Sequence, residues 1–146
     1  MKIIRFEFHD EIWGFSTVQL KKLNLFVGAS GSGKTKFLQS IFSIANFIHN
    51  NVESRAGNWF ISMTINGVAY EYEWSAVAGA QGLPTVTKEK LDKVMSSKRI
   101  SIFVRDIEKF TFGEKELPKL SPVTSGIYLL KEEKEIKPVF DGFGSI

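Results

Sequence analysis

Eight consecutive residues, Gly28-Ala29-Ser30-Gly31-Ser32-Gly33-Lys34-Thr35, carry the clearest chemistry in this chain. They fit G-x-x-x-x-G-K-[ST], a loop that cradles phosphate with successive backbone N–H groups. So tight a loop must visit left-handed backbone conformations and let an anion approach the main chain, which glycine permits. Lys34 is placed to reach the β- and γ-phosphates of a nucleotide. The Thr35 hydroxyl is placed to ligate Mg2+, and a helix beginning there would turn its positive end toward the anion.

Such a loop must be held between a strand and a helix. Leu23-Asn24-Leu25-Phe26-Val27 is a short apolar run that reads as a buried strand. After the loop, Phe37, Leu38, Ile41, Phe42, Ile44, Ala45 and Ile48 recur at helical spacing, with Lys36, Gln39, Ser40, Ser43 and Asn46 between them. The helix is expected to end near His49-Asn50-Asn51. Ahead of it, Ile4, Phe6 and Phe8 alternate as in a half-buried strand, and a second strand is expected near 13–20.

Residues 58–75 predict a hairpin. Asn66-Gly67 favours a two-residue type I′ turn. That turn sets Ile65 opposite Val68, Met63 opposite Tyr70, Ile61 opposite Tyr72 and Trp59 opposite Trp74, all on one face. Ser62, Thr64, Glu71 and Glu73 take the other. An aromatic stripe could serve as a base-stacking platform, but this one lacks interleaved basic residues and reads as a core face. Ala76 to Pro84 reads as a loop, Thr87 to Val94 as a short charged helix, and Ile100 to Arg105 and Lys109 to Phe112 as strands. The run Lys131-Glu132-Glu133-Lys134-Glu135 reads as a solvated helix face.

The 146 residues suit one domain with a sizeable core. The net charge of +3 does not argue for nucleic acid. Absence of cysteine excludes a disulfide scaffold and a thiolate zinc site. No run approaches the length of a membrane span and the start lacks a signal-peptide core, so the cytoplasm is the expected compartment.

Hydrolysis needs more than a phosphate loop: a second carboxylate on the metal and a group that orients water. No apolar strand ending in Asp-Glu is present. Asp141, in Val139-Phe140-Asp141, is the one catalytic candidate, although Pro138 argues against a central strand there. Asp141-Gly142-Phe143-Gly144 also fits a loose D-x-x-G pattern. His9 and His49 lie far from any partner motif.

Two N-terminal strands, the stretch Leu23 to Ile41, a strand-rich insertion with an aromatic hairpin, Ile102-Phe103-Val104-Arg105 and Leu117 through Ser125 together resemble a known arrangement. It is that of the N-terminal lobe of ABC-type ATPases of the RecF, SMC and OLD group, and above all of the bacterial "AAA family" ATP-binding proteins of phage-defence and nuclease-linked systems. The resemblance implies that residues 28–35 bind ATP and Mg2+, with Thr35 on the metal, and supply half of a composite ATPase site. It implies that two heads would sandwich the nucleotide as a homodimer, with a nuclease and DNA as further partners. The family's signature motif, Asp-Glu pair and switch histidine are not visible, and the only glutamine after the helix is Gln81. The expected fold is therefore an α/β phosphate-loop lobe over 1–146, with mixed and antiparallel sheets around one helix. Residues 113–146 would lead into a helical or C-terminal half, and this chain alone would turn over little ATP. The alternatives are a small-molecule kinase and a nucleotide-binding interaction module that does not hydrolyse.

Overall fold

A computed structural model describes residues 1–52, 55–79, 83–96 and 98–146. Eight strands form one sheet: β1 Lys2–His9, β2 Gly14–Gln19, β3 Gly57–Ile65, β4 Val68–Ala78, β5 Pro84–Met95, β6 Lys98–Asp106, β7 Phe110–Phe112 and β8 Lys115–Leu117. Their order is β2-β1-β3-β4-β5-β6-β7-β8, and every ladder is antiparallel. Among the described residues there are three helices, α1 Lys34–Asn50, α2 Gly126–Leu129 and α3 Lys137–Phe143.

This corrects the expected α/β lobe with a mixed sheet. The physical cause lies in the connections. From β3 to β8 consecutive strands are sheet neighbours only a few residues apart in the chain, and connections that short can only make antiparallel pairs. A parallel pair would need a crossover, and α1 instead leads from β2 to β3.

The hairpin forms in the expected register, from Ile65↔Val68 to Trp59↔Trp74. Asn66 and Gly67 both have positive φ, 50° and 79°, as the I′ turn requires. Seven of the eight predicted inward residues are buried, and Val68 is half-buried. They meet Phe37, Ile44, Phe47 and Ile48 of α1 and Val139 and Phe143 of α3 in one core. The α1 helix ends as expected, with Asn51 in the left-handed conformation that asparagine tolerates. The opposite sheet face is polar and self-neutralised: Glu73 pairs with Lys88, Glu71 with Arg99, and Arg5 lies over the Phe60 ring.

Residues 87–94 are strand, not helix. In the β4–β5 ladder Ser75 faces Lys88 while Ala76 faces Val86, so Thr87 is an extra residue. This bulge shifts the inward phase from Val86 to Glu89 and Leu91. The simple alternation that marks a strand is thereby broken. The charge run 131–135 is a series of turns between α2 and α3 rather than a helix face.

Candidate phosphate-binding site

Residues 30–36 and Trp13 line a cleft of about 530 Å3 at the N-terminus of α1. The loop turns at Ala29, whose carbonyl accepts from the Ser32 N–H at 3.2 Å. Gly31 and Gly33 stand at φ 81° and 87° with open space where a Cβ would go, so conformation rather than crowding demands glycine there. Gly33 is the N-cap of α1 and makes no side-chain cap bond. The first turn of the helix thus offers N–H groups without intrahelical partners.

The electrostatics suit an anion. Lys34 and Lys36 line the cleft, and none of its lining residues is acidic. Lys34 Nζ donates to the Gly28 carbonyl at 2.7 Å, the Ala29 carbonyl at 2.8 Å and Ser32 Oγ at 2.9 Å. Thr35 is exposed in the first turn. Triphosphate fits this donor set. Mg2+ fits as an ion carried largely by phosphate and water, to which Thr35 would add one oxygen. Among the described residues no cluster of three His, Asp or Glu side chains could hold a metal by itself.

Sequence reasoning missed Trp13. It enters the cleft because Asp10 fixes the turn that precedes β2: Asp10 Oδ1 accepts from the Ile12 and Trp13 N–H groups, both at 2.8 Å. Burial tends to raise the Asp10 pKa, but those two N–H groups and the charges of Arg55 and Lys36 outweigh it and hold the carboxyl below its ordinary range. The Trp13 ring packs on Phe8 and Phe15 at 5.1 and 5.2 Å, and Lys36 Nζ lies 4.9 Å from its centroid. A tryptophan fifteen residues before Gly28 has no local signal; only the fold brings it near.

Other expected features fall elsewhere. The run 23–27 is not a buried strand. Leu23, Leu25 and Val27 are 88%, 85% and 80% exposed, and Phe26, itself 40% exposed, has its ring 4.8 Å from Phe37. The chain leaves the sheet after Leu20 donates to the Ile4 carbonyl, and Asn24 bonds both main-chain groups of Lys21. No strand of the described residues lies beside 23–27. Asp141 sits in α3, 3.6 Å from Lys137, and lines a separate cleft with Met1, Ile65 and Asn66. Proline in the first turn of α3 fits a helix there, as the sequence warned against a strand. His49 is stacked on Phe140 at 4.5 Å, and His9 lies in β1. Gln81 lies outside the described residues.

Compared with known proteins, the chain matches no family model, no curated protein and no solved structure. Among the described residues no helix is long and apolar enough to cross a membrane.

Proposed function

We propose that this chain binds the phosphates of ATP–Mg2+ at residues 28–35 and supplies part of a composite nucleotide site. The observation that carries the reading is the cleft itself: two lysines and a helix N-terminus, with no carboxylate in the lining. The exposed run 23–27 supports the idea that the site is completed by other strands. Resemblance to the ABC-type ATPases, with their head-to-head dimers, cytoplasmic setting and nuclease or DNA partners, belongs to the same proposal. The lack of a lining carboxylate favours binding without turnover by this chain, and leaves a kinase reading without a catalytic acid or base.

Calorimetric titration with ATP–Mg2+ tests this. Lys34→Ala should lose about 1.5–3 kcal/mol of binding, because it removes a charge-assisted contact. Trp13→Ala should weaken ATP more than inorganic triphosphate, as expected for a ring that stacks on the base. Equal ATP affinity in Lys34→Ala and wild type would overturn the phosphate role.

A further inference from the structure

An ammonium has three N–H donors, and in Lys34 all three are taken by the loop's own oxygens. Two acceptors are main-chain carbonyls, of Gly28 and Ala29. The third is the Ser32 hydroxyl, the one acceptor of the three that a side-chain substitution can remove. The arrangement depends on close approach: a Cβ on Gly28 would stand 2.8 Å from Ser32 Oγ. The lysine that should meet phosphate is therefore folded back onto the loop.

We propose that Ser32 is a positioning residue that holds Lys34 in a self-bonded state, competing with bound phosphate for its ammonium. This rests on the phosphate reading of the loop. Binding is then an exchange. A phosphate oxygen must take at least one of these three N–H donors from a loop oxygen, so part of the attraction between cation and anion is spent on breaking a bond already made. Ser32 thereby tunes affinity downward, although it belongs to the binding loop. A hydroxyl that merely donated to phosphate would have the opposite effect when removed.

Two measurements on the whole chain test this. In titrations with inorganic triphosphate and Mg2+, Ser32→Ala should bind about threefold to tenfold more tightly than wild type, the equivalent of one modest hydrogen bond. Ser32→Thr, which keeps the hydroxyl, should return to wild-type affinity. In the ligand-free protein, the Lys34 ammonium should give a protected 1H–15N signal that weakens in Ser32→Ala and survives in Ser32→Thr. Equal or weaker triphosphate binding by Ser32→Ala would overturn the proposal, as would an unprotected Lys34 ammonium in wild type. A protected signal that Ser32→Ala weakens, with no triphosphate bound by either protein, would uphold the self-bonded state and overturn the phosphate site instead.

Discussion

Arg105→Met should destabilise the fold by about 3–5 kcal/mol, the cost of leaving a buried charge without its partner. Arg105 and Glu89 are both buried, with Arg105 Nη1 3.3 Å from Glu89 Oε2. The Glu89 carboxylate also accepts from Tyr72 Oη and Ser125 Oγ, both at 2.8 Å, and from the Gly126 N–H at 2.7 Å. Burial, and then the neighbouring carboxylate, push the Tyr72 phenol well above its ordinary pKa, so it stays a donor. Arg105 donates in turn to the Thr124 carbonyl and, at 2.7 Å, to that of Ser121. The guanidinium thus ties the segment ahead of α2 to the sheet, and its loss would take the Arg105 donor from the Thr124 carbonyl and leave the buried Glu89 carboxylate without its cation. Adding Glu89→Gln to Arg105→Met should recover part of the loss. Urea denaturation of the single and double variants measures both. A single-variant loss under about 1 kcal/mol would show that water reaches the network.

Trp74→Ala should cost a similar amount, about 3–5 kcal/mol. The side chain is fully buried between Trp59, 4.6 Å away, and Phe47 of α1, 5.1 Å away. Its indole N–H has no partner among the described residues, so Trp74→Phe should cost much less: it removes an unsatisfied donor and keeps most of the apolar surface. Triphosphate affinity should change little in either variant that remains folded. A Trp74→Ala protein that melts like wild type would contradict a core role for the stripe.

What could be read from the sequence depended on whether local pattern and fold agreed. The hairpin was legible to the residue because its turn type and its period-2 pattern each fix the same register. Helix α1 was legible at both ends, from the motif that precedes it and from the end of its apolar periodicity near His49-Asn50-Asn51. The bulge at Thr87 defeated the pattern of β5, and with it the burial of Glu89, whose partners lie on β4, β6 and the α2 cap. The run 23–27 carries the composition of a buried strand, but composition cannot say whether a neighbouring strand is present, and among the described residues no strand pairs with it. The glycine-rich turn ahead of α1 was legible in residues 28–35; Trp13, its aromatic neighbour, was not, because three-dimensional proximity leaves no trace in spacing.

The strand order has a consequence for cooperativity. Six of the seven ladders join strands consecutive in the chain; the β1–β3 ladder alone reaches across β2 and α1. Closing it costs the entropy of the longest loop in the sheet, and residues 28–35 lie inside that loop. Opening this ladder would free β1 and β2 while the β3-to-β8 meander keeps its own local pairs, so amides of β1 should exchange before those of β4 and β5. A ligand that orders residues 28–35 would then act at a distance, slowing exchange along β1 by mass action and leaving β7 and β8 untouched.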